Sequence, residues 1–481
     1  MTDPLFILSV GVLIVVGGII GLKLHPFLAL ILGALVVAFM TPAAAVEQYA
    51  LDKGTSAAAA LALSQKGIGE RIATEFGNTC AKIGILIAMA AIIGKCLLES
   101  GAAERIIRSI LRLTGIGKAP IAFLTSSFFL GIPVFFDTVI FLMMPLVKAM
   151  ALRLGKNYLL LVMCIMAGAA MANSLVPPAP GPLFLIGEMH IPIGMMMIAG
   201  VIVGLFTITA GYFFAVWVNG KMPIEIRDSL DAPLKDIKLI AAREDRELPP
   251  LGLSLLPVLI PLGFICADTA IGALSKGGAP WGESAFATAV VAFIEFFGDK
   301  NIALISGGFA ALLVLASQRK TSKDEFSSFV QAALLSGGGI ILITAAGGAF
   351  GGMLQQTGIS SRIAGLTAGY QMALIPLAFL IAAVVRTAQG SATVALITAS
   401  GILSGMATQG NLEFHPVYLG LAIGCGSKIV PWMNDSGFWI VCKLSNLTEK
   451  EALKTISPLL VVMGITGLVV ILVGAKLFPL V

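Results

Sequence analysis

Charge is scarce in this chain. Of its 481 residues, 12% are Asp, Glu, Lys or Arg, while 58% are hydrophobic. An ordinary soluble domain carries about 25% charged residues, so a soluble globular protein is excluded. Histidine is scarcer still, with three in the whole chain. That leaves no zinc cluster to build and no HExxH motif, which counts against a metal-dependent intramembrane hydrolase. The six cysteines, Cys80, Cys96, Cys164, Cys266, Cys425 and Cys442, lie mostly in apolar stretches and form no CxxC pair. They read as small buried hydrophobes rather than a disulfide framework or a metal site. There is no Walker loop and no dinucleotide fingerprint, so no cofactor is expected and ATP-driven transport has no support within the chain. The net charge of +5 suits a membrane protein with basic cytoplasmic loops and gives no reason to expect a nucleic-acid partner.

What the chain has is long apolar runs. Several reach the roughly 20 residues that cross a bilayer. Spanning segments are expected at 5–22, 26–41, 80–99, 158–190, 195–219, 251–272, 301–317, 327–356, 417–442 and 455–478. The first has no basic leader and no small-residue cleavage site, which reads as a retained helix. Two further apolar stretches, 119–147 and 372–401, are broken in the middle.

Loop charge interprets those two. Arg105, Arg108, Arg112 and Lys118 precede the first, and Lys148, Arg153 and Lys156 follow it. Both flanks are basic, hence both cytoplasmic. The second is flanked only by Arg362 and Glu413, which places both flanks outside. Same-side flanks describe re-entrant hairpins of opposite orientation. The expected fold is therefore an all-α polytopic membrane protein made of two inverted repeats. Each has about five transmembrane helices and one re-entrant helical hairpin, with discontinuous helices at the substrate site. The first repeat is 1–219, the cytoplasmic linker 220–250 and the second repeat 251–481. Segments 43–79 and 284–298 are not expected to cross. The repeat is visible in sequence: Gly94, Gly101 and Arg105 align with Gly351, Gly358 and Arg362 at one offset (362 − 105 = 257).

The interruptions occur in matching places of the two halves: Gly131 to Asp137, Asn173 to Pro182, Arg386 to Thr393, and Ser427 to Gly437. Paired broken helices mark the binding site of secondary transporters, because unpaired backbone is tolerated at membrane depth only beside protein or a wet cavity. The half-helix N-termini at the breaks favour an anionic ligand. Ionisable groups within spans are functional candidates. Asp137 has two readings, proton carriage or substrate contact against a helix N-cap. Arg386 either clamps a carboxylate in its fork or pairs with Asp137 or Asp435. The small residues after it, Gly390, Ser391 and Thr393, offer close approach and hydroxyls. Asn434, Asp435 and Ser436 combine amide, carboxylate and hydroxyl beside Pro431. Asp435 is the first choice for a titrating carboxylate, with a helix cap as the alternative. Asn173 and Ser174 occupy the corresponding break of the first half, where Pro177 to Pro182 prevent a continuous helix and Gly181 permits close approach. Lys428 either neutralises an anion or pairs with Asp435. Lys95 reads as a snorkelling cation, and Glu188 and His190 as an interfacial loop. Glu295 is assigned no role.

These segments resemble the gluconate permease family, within the ion transporter superfamily. The similarity covers most of the chain. It rests on Leu22 to Leu30, Gly101 to Ile106, Gly131 to Asp137, Pro177 to Pro182, Arg386 to Thr393 and Asn434 to Trp439, whose order and spacing together are specific. The resemblance implies proton-coupled uptake of gluconate or related sugar acids and hydroxy acids, with D-serine in one branch. It also implies a homodimer, an elevator-like motion, and substrate-site roles for Asp137, Ser174, Arg386, Ser391, Thr393, Asn434 and Asp435. Two departures stand out. The family usually has His-Gly-Phe before the prolines and a His among them, where this chain has Ala172 to Val176 and Ala179. The family more often has Glu where Asp137 stands. The missing histidines, where they would contact sugar hydroxyls or relay protons, point to a different, smaller hydroxy acid. The expected protein is an inner-membrane symporter, not an enzyme. Its partners are a small organic anion, protons and membrane lipid. A sodium-coupled carboxylate carrier is the nearer rival; a channel and an intramembrane enzyme are the more distant ones.

Overall fold

The computed structural model describes residues 3–227, 247–276, 285–318, 323–359, 362, 371–408, 412–432 and 435–480. Among these residues the secondary structure is helical throughout. In chain order the helices are α1 Pro4–Ile20, α2 Pro26–Met40, α3 Ala43–Asp52, α4 Ala57–Gln65, α5 Ile68–Glu99, α6 Ala102–Thr114 and α7 Ala119–Leu130. They continue with α8 Phe136–Leu154, α9 Tyr158–Leu175, α10 Pro180–Met189, α11 Ile193–Lys221, α12 Leu251–Lys276 and α13 Ala285–Gly298. The last are α14 Lys300–Gln318, α15 Lys323–Gln355, α16 Leu374–Gln389, α17 Ala392–Thr408, α18 Val417–Gly426, α19 Ser436–Ser445 and α20 Glu449–Leu477.

Local chemistry explains many boundaries. Asp3 caps α1 by accepting the Leu5 N–H at 3.0 Å, and Pro4 and Pro26 open α1 and α2, where a missing N–H costs nothing. Thr448 and Glu451 form a reciprocal capping box at the start of α20. Seven spans among the described residues are long and apolar enough to cross a membrane, or nine counting two bent pairs, α2–α3 at 99° and α6–α7 at 110°. The chain is a multi-pass membrane protein.

One sequence expectation shifts. The region 43–79 was not expected to cross, yet its last part belongs to α5, which runs unbroken for 32 residues from Ile68. The polar residues there find protein partners, so they do not end the helix. Arg71 donates to the Gln356 amide oxygen at 2.8 Å, and Thr79 packs into the space left by Gly348. Within the short apolar segment 284–298, Ala285–Gly298 form α13, 14 residues long.

The spans expected at 158–190 and 417–442 are each two helices, α9/α10 and α18/α19. Helix boundaries recur along the chain. α11 and α20 both have 29 residues, and their starts and ends are offset alike (449 − 193 = 477 − 221 = 256). α10 and α19 follow the same offset (436 − 180 = 445 − 189 = 256), as do their left-handed closing residues His190 and Asn446, at φ 52° and 55°. Gly101 and Gly358, aligned from sequence, both take φ 78° after the long helices α5 and α15, a conformation glycine adopts without strain.

The interior centres on α9, in which every residue but Asn173 is buried. Apolar lipid provides no hydrophobic drive between helices, so close approach through small residues holds them together. A Cβ on Gly168 of α9 would lie 2.4 Å from the Leu124 carbonyl oxygen of α7. α15 is notched on two sides: Gly348 and Gly352 admit Thr79 and Glu75 of α5, while Gly347 and Gly351 admit Ile397 and Gly401 of α17.

Candidate functional site

The four interruptions converge. α7 ends at Leu130 and α8 resumes at Phe136. α9 stops at Leu175, and Pro180 opens α10. α16 closes on Gly390 at φ 83°, whose N–H donates to the Arg386 carbonyl at 2.9 Å, and Ser391 Oγ accepts the Val394 N–H at 3.3 Å to start α17. α18 ends at Gly426, and Asp435 caps α19 by accepting the Gly437 N–H at 2.9 Å. At the centre the second and last of these paths cross. Ser174 Oγ lies 3.3 Å from Ser427 Oγ, and a Cβ on Gly424 would lie 2.7 Å from the Ser174 carbonyl oxygen.

A cavity of about 330 Å³ is lined by the first turns of α8, α10, α17 and α19, through Phe136, Pro180, Thr393 and Gly437. Four helix N-termini therefore face one space, each presenting the positive end of its dipole. Seven residues singled out from sequence line it: Asp137, Asn173, Arg386, Ser391, Thr393, Lys428 and Asp435. Ser174, Gly181 and Gly390 lie behind the wall. Ser174 is fully buried against Ser427, and Gly181 makes room for Leu396, which would stand 2.5 Å from a Cβ there. Gly390 is the turn residue that lets Ser391 reach the cavity. Asn434 lies outside the described residues, as does the side chain of Ser436, the first residue of α19.

The charged groups resolve into distinct environments. Arg386 is only 3% exposed, and its Nη2 forms an ion pair with Asp435 Oδ2. Its Nε and Nη1 are buried with no hydrogen-bond partner among the described residues. Buried polar groups are nearly always satisfied, so two orphaned guanidinium donors beside a cavity mark a place for an acceptor. Asp435 is thus both the α19 cap and the partner of Arg386, the structural alternatives open for both residues. Asp137 is different. The α8 N-cap is Phe135, with no side-chain cap bond, so Asp137 is not the cap that its position suggested. It is exposed in the cavity and has no hydrogen bond or ion pair among the described residues. Lys428 is buried, with Nζ 5.7 Å from the centre of the Phe136 ring, and it does not pair with Asp435, which Arg386 holds instead.

Phe136, Ser336, Ile340 and Ile343 also line the cavity and were not singled out from sequence. Phe136 stands beside Asp137 in a motif already noted. The other three lie inside the unbroken helix α15, where nothing local distinguishes a cavity-facing residue. One peripheral reading changes as well. Glu188 is a buried ion-pair partner, 3.2 Å from Lys82, rather than part of an interfacial loop. Lys95 pairs with Glu99 at 2.9 Å one turn on. Among the described residues no three His, Cys, Asp or Glu side chains stand close enough to hold a metal ion.

Comparison with known proteins places this architecture. A gluconate permease of Pseudomonas aeruginosa is 30% identical over 455 residues, covering 94% of this chain and 92% of that one. The inner membrane permease YgbN of Escherichia coli K12 is 29% identical over 466 residues, 96% of each chain. A low-affinity gluconate transporter of the same organism is 28% identical over 403 residues, 83% of this chain and 86% of that one. Among solved structures, the Alcanivorax borkumensis YdaH transporter superposes with a TM-score of 0.61 at 14% identity, over 85% of this chain and 88% of that one. Neisseria gonorrhoeae MtrF gives 0.58 at 16% identity, over 84% and 83%. These two share the fold. The family model of GntP family permeases matches residues 3–477, and this chain belongs to that family of membrane transporters.

Proposed function

We propose that this protein imports gluconate-like sugar acids or small hydroxy monocarboxylates across the inner membrane in symport with protons. The observation that carries the reading is Arg386, buried beside the cavity with two N–H groups unpartnered. A carboxylate is the acceptor whose geometry matches a guanidinium fork. Asn173, Ser336, Ser391 and Thr393 surround the same space and suit substrate hydroxyls. A cavity of about 330 Å³ is at the small end for ligand sites, which run from about 300 to 1,000 Å³. That agrees with a compact hydroxy acid and with the absence of the two family histidines near Asn173 and Ala179.

Charge balance supports the proton. With Asp137 and Asp435 ionised, the cavity's two cations and two anions cancel. A bound monocarboxylate adds one negative charge, and one proton restores neutrality before the loaded site moves through a low-dielectric core. Asp137 is the better proton carrier of the two carboxylates. Asp435, the first choice from sequence, is committed to Arg386 and to the α19 cap. Two inverted repeats, 1–219 and 251–481, are supported by the recurring 256-residue offset, and the inner membrane by the name of the Escherichia coli relative.

Uptake of labelled gluconate and of smaller hydroxy acids into proteoliposomes, with an imposed pH gradient and with or without Na⁺, tests this. Acid-outside conditions should drive accumulation without Na⁺. Uptake that requires Na⁺ and ignores the pH gradient would refute proton coupling in favour of the sodium-coupled rival.

A further inference from the structure

Of the residues that line the cavity, the exposed ones mark one end of it. Asp137 and Ser336 are exposed there. Along α15 the transition is abrupt: every residue from Thr344 to Thr357 is buried, and so is every residue of α17 from Val394 to Gly405. α10, α15 and α17 all lead from the cavity into this sealed end. At 1.5 Å per residue, Glu188 lies about 12 Å beyond Pro180, Ser404 about 15 Å beyond Val394, and Gln355 about 18 Å beyond Ile343. The three paths meet in a second polar cluster. Gln355 Nε2 donates to Ser404 Oγ at 2.7 Å, while Tyr49 Oη and Lys53 Nζ each donate to Gln355 Oε1 at 3.2 Å. Lys82 Nζ of α5 pairs with Glu188 Oε1 of α10 at 3.2 Å.

We infer that the Lys82–Glu188 ion pair and the Gln355–Ser404 hydrogen bond are the gate that closes the far exit of the cavity. Both contacts cross between the same two groups of helices, α5 and α15 on one side and α10 and α17 on the other. The interface leading to them is built to part. Gly351 and Gly401 meet backbone to backbone, and a Cβ on Gly351 would lie 2.8 Å from the Gly401 Cα. At that point the two backbones meet with no side chain between them, and one turn away Ile397 of α17 seats against Gly347 of α15. The contacts at the end are polar, and the Lys82 side chain is 39% exposed, so water can take over when they break. The basic stretch Arg319 to Lys323 at the start of α15 puts that end, and hence the open mouth, on the cytoplasmic side. The gate then faces outward. Lys82, Glu188, Gln355 and Ser404 are positioning residues, none of which lines the cavity.

The inference rests on the transporter reading, and the two can fail separately. Ala392→Cys supplies a thiol in the cavity, and a membrane-impermeant maleimide is added outside right-side-out vesicles, with the parent chain as background. The double variant Lys82→Ala/Ser404→Ala should raise the external labelling rate at residue 392 at least severalfold. The single reversal Lys82→Glu should also raise it, and adding Glu188→Lys should return it toward the parent rate, a rescue that a general loosening of the fold would not show. Glu188→Gln serves if the double variant does not fold. Unchanged labelling in the disrupted variants, or labelling raised equally in the swap, overturns the gate. If labelling responds as expected but gluconate uptake in the parent is absent, the substrate reading fails and the gate stands.

Discussion

Replacing Arg386 by lysine separates charge from geometry. Alanine would be a poor probe, since it leaves the part-buried Asp435 without its partner, which destabilises the fold as well as the site. Lysine keeps one positive charge for Asp435. A single ammonium cannot hold Asp435 and also present the two N–H groups, Nε and Nη1, that stand unpartnered beside the cavity. A hydrogen bond to a charged group contributes about 1.5–3 kcal/mol. With about 1.4 kcal/mol for each tenfold in affinity, losing the equivalent of one such bond weakens binding roughly tenfold to a hundredfold. Calorimetric titration of the purified variant with gluconate and with smaller hydroxy acids measures this, alongside a thermal midpoint close to that of the parent. A variant that folds normally and binds the same acid with unchanged affinity would refute Arg386 as the carboxylate clamp.

Asp137→Asn should abolish accumulation driven by a pH gradient while leaving exchange of labelled for unlabelled substrate, because an amide mimics only the protonated state; pH-driven accumulation that persists would move the proton elsewhere. Gly168→Ala should lower stability by about 1–3 kcal/mol, the usual range for overpacking, since the new methyl would meet the α7 backbone; an unchanged thermal midpoint would contradict the packing. His415 lies outside the spans, where its Nδ1 accepts the Val417 N–H at 3.1 Å and burial holds its pKa below the ordinary value of 6.5. The unfolded chain therefore binds the proton first, so stability is full above about pH 6.5 and falls as pH drops from there toward the folded-state value. Thermal midpoints between pH 7.5 and 5 should show that decline, and His415→Asn should flatten it.

Much of the fold was legible because each break has a local cause. Pro177, Pro178, Pro180 and Pro182 remove backbone donors, so the segment 158–190 had to be two helices. Gly101 and Gly358 align at one offset and take the same left-handed turn. The reach of α5 back to Ile68 was missed because polar residues such as Arg71 and Thr79 interrupt the apolar run, and their partners lie on and after α15, far along the chain. Of the site, seven lining residues were visible from their position at breaks, while Ser336 was not, because a serine inside an unbroken helix carries no local mark.

The sequence by itself determined a multi-pass helical membrane protein with doubled breaks, since span length and proline chemistry are local properties. Only the tertiary structure decided how the charges are shared. Arg386 meets Asp435 across 49 residues of chain, leaving Asp137 and Lys428 without ion-pair partners among the described residues. Lys82 meets Glu188 across 106. Such pairings depend on which helix faces pack together, and spacing along a chain does not specify that.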